Sequence, residues 1–464
     1  MHVRPLAATA LIAVAALTLS ACSGSEPEST PTADTRPLVM WTLEGNADRI
    51  VKQEAMLAEY TKDSGVDVEL VPVEEDPLST ALTAAAAGGT LPDLIGALPL
   101  ANVLQFASDD IIDADATAEV LDTLGRDTFD PQILKLTEVD GKQLSVPSDA
   151  FPLLVYYRTD LFDAAGLDAP TDYASITAAA KALNAPGMAG IVAATSASEL
   201  FTSQTIEFLS QANGCELIDD SGDIQLQSDE CLGAFDVYTS LMRDYSTVGE
   251  QDTTTTRATY FAGQAAMVVW SSFLLDELAG LRNNALPTCA ECTANPQWLA
   301  ENTGVVGSIE GPDGSSPAGY GEVVSFTIMR DAHSATKDLA TWLMSDGYLD
   351  WIGIAPEGKI PTRAGTTDDP TAFADAWADL ETGVDSRATL ASLYGPEVLD
   401  TVNETLSRLQ RWGVLQGQGT FAGAFTAQRV LPTVLSDVIA SGGSVEDAAR
   451  TATEQAEQIK LGIG

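Results

Sequence analysis

Leu38-Val39-Met40-Trp41-Thr42-Leu43 is the stretch on which the fold turns. An apolar run of this length is what a strand buried on both faces of a parallel sheet requires. After it, Ile50, Leu57 and Tyr60 fall on one side of a helix whose other side carries Lys52, Glu59 and Asp63, and Gly65 stops that helix. Val66, Val68 and Leu70 then alternate with Asp67 and Glu69, which predicts a second strand. Leu78 to Ala87 is a second helix ended by Gly88-Gly89, and Leu94-Ile95 starts a third strand. This β-α-β-α-β order predicts an α/β fold with parallel pairing.

The alternation continues downstream. Strands are expected at Leu153 to Tyr157, Gly190 to Ala194, Ala265 to Trp270 and Val323 to Ile328. Thr171 is placed to cap a helix reaching about Leu183, and Ser444-x-x-Asp447 has capping-box spacing ahead of an Ala-rich helix that ends near Leu461. Loops gather at Pro287 to Pro296 and Gly311 to Gly321, rich in Gly, Pro, Asn and Ser. With 464 residues and 45% hydrophobic content, the chain is too long for one ordinary core and apolar enough to bury two.

Upstream of the first strand lies a processing segment. His2 and Arg4 supply a positive start, and Leu6 to Ser20 is an apolar run shorter than a membrane helix. It closes in Leu19-Ser20-Ala21-Cys22, which resembles the bacterial lipobox and implies cleavage after residue 21 with a lipid placed on Cys22; an ordinary signal peptide with a chance cysteine is the alternative. Ser23 to Pro37 is a Ser/Thr/Pro/Glu stretch unable to form a core, so residues 22–36 read as a lipidated tether. No later apolar stretch approaches the ~20 residues needed to cross a bilayer, so attachment is expected through the acyl chains alone.

Net charge is −44, from 67 acidic and 23 basic side chains, which excludes nucleic acid and anionic lipid surfaces as partners. The acids are spread along the chain, as on a solvated surface; a salty habitat or a cationic ligand are sharper explanations. Of five cysteines, Cys215, Cys231, Cys289 and Cys292 remain once Cys22 is acylated. Cys215 with Cys231 and Cys289 with Cys292 needs least rearrangement, although three connectivities are open and a zinc site is the rival. With only two histidines, one of them His2, a Ser/His or metal/His hydrolase would rest on His333 alone. His-Glu-x-x-His and Gly-x-Ser-x-Gly are both absent from the sequence. A two-carboxylate glycosidase remains open by residue count. Asp219-Asp220-Ser221-Gly222-Asp223 has the look of a calcium loop but lacks EF-hand spacing and its closing Glu, so it reads as a hairpin turn, with calcium the alternative. No cofactor, metal or catalytic residue is expected.

Several fragments, taken in order, resemble the family 1 extracellular solute-binding proteins, the maltose-type sugar receptors of ABC importers. They are Leu38-Val39-Met40-Trp41 after the tether, Ala86-Ala87-Gly88-Gly89-Thr90-Leu91-Pro92-Asp93-Leu94, and Val146-Pro147 followed by Leu154-Val155-Tyr156-Tyr157-Arg158-Thr159-Asp160-Leu161-Phe162-Asp163-Ala164-Ala165-Gly166-Leu167. Phe261-Ala262-Gly263-Gln264-Ala265-Ala266-Met267 and Asp338-Leu339-Ala340 with Trp342-Leu343-Met344-Ser345 complete the set. The family usually has Tyr-Asn where this chain has Tyr157-Arg158, and polar or aromatic contacts where Gly96 to Leu100 is small and apolar, which argues against maltodextrin itself. The resemblance implies a two-lobed, type II periplasmic-binding-protein-like fold with hinged lobes and mixed, mainly parallel sheets. One lobe would take residues 37–149 plus about 324–358, the other about 150–320 plus 362–464. The implied function is capture of a mono- or oligosaccharide and its delivery to ABC permease subunits, by a monomer anchored on the outer face of the cell membrane. A polyol, peptide or polyamine is the alternative ligand.

Sugar sites combine aromatic faces with carboxylates and amides that bond hydroxyls. Candidates are Glu44 and Asn46 after the first strand, and Asp149 and Phe151 at the first crossing between lobes. Trp270 and Phe273 follow a buried strand, and Phe201 and Gln204 open a helix facing the expected cleft. Tyr320, Gly321 and Glu322 stand where the family has a Gly-rich approach to ligand, and Arg363 lies on the last crossing segment. For Glu44, Phe151, Trp270 and Arg363 the bland alternatives are a solvated acid, hinge packing, core packing and an inter-lobe ion pair.

Overall fold

Strand β1 (Leu38–Thr42) lies between β2 (Val68–Pro72) and β3 (Leu94–Pro99) and runs parallel to both. The connections are α1 (Ala47–Ser64) and α2 (Leu78–Gly88), so the β-α-β-α-β order is realised. Helix α1 stops where expected, because Gly65 takes a left-handed conformation (φ 74°) that side chains with a Cβ rarely adopt. This computed structural model describes residues 35–74 and 77–463; the signal segment, Cys22 and nearly all of the tether lie outside them.

The strand Val146–Arg158 organises the rest. Its first half, Val146 to Pro152, pairs antiparallel with Gly319–Ile328, which in turn pairs with β3. Its second half, Leu153 to Arg158, pairs antiparallel with Met267–Ser271 and Thr303–Val306. Ile360–Pro361 adds an antiparallel edge at Asp149 and Ala150, and Leu409–Gln410 pairs with Gly319 and Tyr320. Two groups of strands therefore share one long strand. Along it, Leu153 and Val155 enter one buried core while Leu154 and Tyr156 enter the other, as strand alternation dictates. Each buried aliphatic side chain of this kind contributes about 1.5–3 kcal/mol.

Local chemistry corrects two expectations and bears out a third. Helix Tyr173–Leu183 is capped by Asp172, not Thr171: the Asp172 carboxylate accepts from the Ser175 N–H and the Ser175 hydroxyl returns a bond to the Asp172 backbone. Gly190 to Ala194 makes only isolated bridges, Ala189 with Ala265 and Val192 with Val268, instead of a strand. Asp219 to Asp223 is the hairpin turn: Asp219 accepts from the N–H groups of Ser221 and Asp223 and from the Gln225 amide, so its carboxylate is spent inside the turn. Cys215 bonds Cys231 and Cys289 bonds Cys292. Among the described residues no helix is long and apolar enough to cross a membrane, and no group of three His, Cys, Asp or Glu is arranged to hold a metal.

Candidate functional site

The ends of β1, Val146–Arg158 and Ile360–Pro361 converge, and a cation fills the point where they meet. Lys359 Nζ lies 2.7 Å from Glu44 and 3.1 Å from Asp149. The Arg49 guanidinium, one turn into α1, lies 2.5 Å from Glu44. Trp351 donates its indole N–H to Asp149 at 2.7 Å and turns its ring face to the Lys359 ammonium, 4.4 Å away. Burial alone would raise the Glu44 pKa, but Lys359 and Arg49 outweigh it and hold the carboxyl at about 2. Asp149 moves upward, because burial exceeds the help it receives from Lys359. Burial would likewise discharge Lys359, yet Asp149 and Glu44 keep its pKa above the ordinary value.

A second charged group lies across the sheet. Arg411 sits 2.9 Å from Glu322 and 3.4 Å from Glu207, with its guanidinium 5.0 Å from the centre of the Tyr320 ring. Glu322 also accepts from the Leu100 N–H at 3.2 Å, and Glu207 from the Trp412 N–H at 2.8 Å. Burial raises Glu207 despite Arg411, and Arg411 itself is raised because Glu322, Tyr320 and Glu207 overcome its burial. The Gln204 side chain lies beside the Tyr320 phenol.

Of two aromatic pairs, one touches these charges. Phe151 and Phe273 meet edge to face with centroids 5.2 Å apart, and Arg49 approaches the Phe273 ring at 5.6 Å. Phe201 and Trp270 lie 4.7 Å apart. Two glycines make room: a Cβ on Gly358 would fall 1.9 Å from the Phe273 ring, and one on Gly321 would fall 2.8 Å from the Phe151 carbonyl. Phe151 stands opposite Glu322 in the antiparallel register, which joins the two charged groups through one strand pair.

Of the candidates, Glu44, Asp149, Phe151 and Phe273 thus cluster around Lys359, while Gln204, Tyr320, Gly321 and Glu322 gather near Arg411. Asn46 is exposed at the start of α1, and its side chain makes no capping bond. Arg363 belongs elsewhere. The residue is 3% exposed, and its guanidinium donates to Thr128 Oγ1 and to the carbonyls of Met344 and Leu124, so it ties buried chain segments together and does not face a cleft. Reading the sequence did not single out Arg49, Glu207, Trp351, Gly358, Lys359 or Arg411. Glu207, Lys359 and Arg411 meet partners remote in the chain, and no local periodicity marks any of the six.

Residues 55–382 match the family described as bacterial extracellular solute-binding protein. The chain belongs to that family. This solute-binding protein is 24% identical over 318 residues, covering 66% of it and 69% of the relative, to YcjN of Escherichia coli K12, a protein named as an ABC transporter periplasmic-binding protein. Solved structures share the fold at low identity. The sugar-binding protein MalE of Xanthomonas citri has a TM-score of 0.71 at 16% identity, covering 91% of this chain and 97% of that one. The cyclic alpha-maltosyl-1,6-maltose binding protein of Arthrobacter globiformis gives 0.68 at 18%, covering 91% and 98%. A solute-binding protein of Agrobacterium radiobacter K84 in complex with ribitol gives 0.62 at 19%, covering 92% and 99%. The α/β architecture with mixed strand directions is therefore that of the periplasmic binding proteins, and as a solute-binding protein the chain is not an enzyme.

Proposed function

We propose that the chain captures a carbohydrate, or a polyol of similar hydroxyl chemistry, between two lobes and delivers it to the permease of an ABC importer. The observation that carries this reading is the aromatic pair Phe151 with Phe273, set between the Glu44 group through Arg49 and Glu322 through the strand register, with Phe201 and Trp270 as a second pair. Aromatic faces cover the C–H side of a sugar ring, and carboxylates accept from its hydroxyls. The names of the relatives, which bind sugars or ribitol, support the same class. Neutral ligands suit a site whose acids are already matched by Arg49, Lys359 and Arg411.

The lobes are residues 37–149 plus about 324–358, and about 150–320 plus 362–464, hinged where Val146–Arg158, Gly319–Ile328 and Ile360–Pro361 run between them. A ligand shifts such a hinge only by binding the closed state better, and moving the balance from about 1:99 to 99:1 takes roughly 5.5 kcal/mol. The protein acts at the outer face of the membrane, held there by acyl chains on Cys22. Labelling cells with a tagged fatty acid should mark the wild-type chain and leave a Cys22→Ala variant unmarked.

Thermal denaturation in the presence of sugars, polyols, amino acids, peptides and polyamines tests the ligand class. Ligand at 100 times its Kd should add about 2.7 kcal/mol, a readable rise in Tm. A rise with one sugar or polyol, weakened about tenfold in affinity by Trp270→Ala, is expected. Stabilisation by polyamines alone would remove carbohydrate from the reading.

A further inference from the structure

Helix α3 (Leu100–Ser108) follows directly on β3, and the helix Gly419–Ala427 packs across it. By the proposed division the two helices belong to different lobes, and their buried side chains enter different clusters: Leu100 and Leu104 join the one that includes β1 to β3, whereas Phe421, Ala422 and Phe425 join the one that includes Leu153 and Val155. Where they touch, Leu104 seats against the backbone of Gly419, and only small residues face each other at Ala101 and Gly423. A Cβ on Gly419 would fall 2.3 Å from Leu104 Cδ1, and one on Gly423 would fall 3.6 Å from Ala101 Cβ. At the same end of α3 the Leu100 N–H donates to Glu322, which is held in turn by Arg411.

We infer that this contact is a closure seam: the Gly419 and Gly423 face of one helix docks on Ala101 and Leu104 of the other only when the lobes are shut. The inference rests on the two-lobe reading above but not on the identity of the ligand. A seam meant to open must not exchange interdigitated side chains between cores, because separating such packing exposes large apolar area. Glycine meets both needs, allowing close approach of the backbones while contributing almost no area of its own. The polar contact at Leu100 sits beside it, and its partners Glu322 and Arg411 belong to the candidate site. Filling the site and shutting the seam are thereby coupled through one carboxylate.

A disulfide across the seam tests this. The 3.6 Å between the Gly423 Cβ position and Ala101 Cβ is within the range a disulfide spans. In the full chain carrying Ala101→Cys and Gly423→Cys, oxidised glutathione should form the cross-link, leaving reduced glutathione. The oxidised protein should then bind a ligand found by the thermal screen at least about tenfold more slowly than after dithiothreitol, since only the open state admits ligand. Each single-cysteine variant should bind like wild type. Should no sugar bind at all, small-angle scattering still decides, because the reduced double variant should be more extended than the oxidised one. Gly419→Leu, which crowds Leu104, should raise the Kd about tenfold while leaving the Tm of the ligand-free protein nearly unchanged. A cross-link that forms without changing either binding rate or radius would overturn the seam. So would failure to cross-link both with and without ligand in a variant of native circular dichroism.

Discussion

Lys359 and Arg411 each stand between two carboxylates, yet they do different work. Lys359 is 1% exposed, and its point charge gathers Glu44 from the end of β1 and Asp149 from the long strand beneath the face of Trp351. The side chain of Arg411 is 11% exposed and spreads its flat fork from helix Leu200–Ala212 at Glu207 to strand Gly319–Ile328 at Glu322. At the first point Glu44 is drawn down to about 2; at the second Glu207 is pushed up by burial. The comparison teaches that an ammonium suits a post where chain segments converge on one spot, and a guanidinium suits a bridge between elements that lie apart.

Breaking the post should cost most. Lys359→Met leaves Glu44 and Asp149 buried with their shared charge gone, and chemical denaturation should register a loss of about 3–5 kcal/mol. A loss below about 1 kcal/mol would deny Lys359 this role. Breaking the bridge should cost less, because the Leu100 and Trp412 N–H groups still bond Glu322 and Glu207. Arg411→Met is expected to remove about 2–3 kcal/mol and to weaken ligand binding as well, so calorimetric titration separates it from a purely structural loss.

The smallest effect sharpens the comparison with a carboxylate that has no cation. Burial raises Glu216 to about 7, with Glu207 and Asp220 adding repulsion, and one of its oxygens is buried without a hydrogen bond. The signs are opposite for the two acids. Glu44, lowered to about 2, contributes stability that is full above its ordinary 4.5 and is lost as pH falls from there toward 2. Glu216, raised to about 7, contributes stability below 4.5 that is lost as pH rises through about 7. Glu216→Gln should therefore raise Tm at about pH 8 and leave it nearly unchanged at about pH 4.

Much of this molecule could be read from its residues in order. The alternation of buried runs and amphipathic helices from Leu38 to Leu94 assigns the α/β class, because burial on one face or two is written into neighbouring positions. The family resemblance, together with the polar and aromatic residues near the expected lobe crossings, led to Glu44, Asp149, Phe151, Phe273 and Glu322. It missed the first half of the strand Val146–Arg158, since Pro147 and Pro152 interrupt the pattern by which a strand is known.

What the tertiary structure alone decided is which charge meets which. Lys359 reaches Glu44, and Arg411 reaches Glu207, across hundreds of residues of sequence, and Arg363 turns out to bind buried carbonyls near Thr128. The approach of Gly419 to Leu104 is of the same kind. Periodicity records the environment each residue needs, whereas an ion pair or a close helix contact exists only where the folded chain crosses itself.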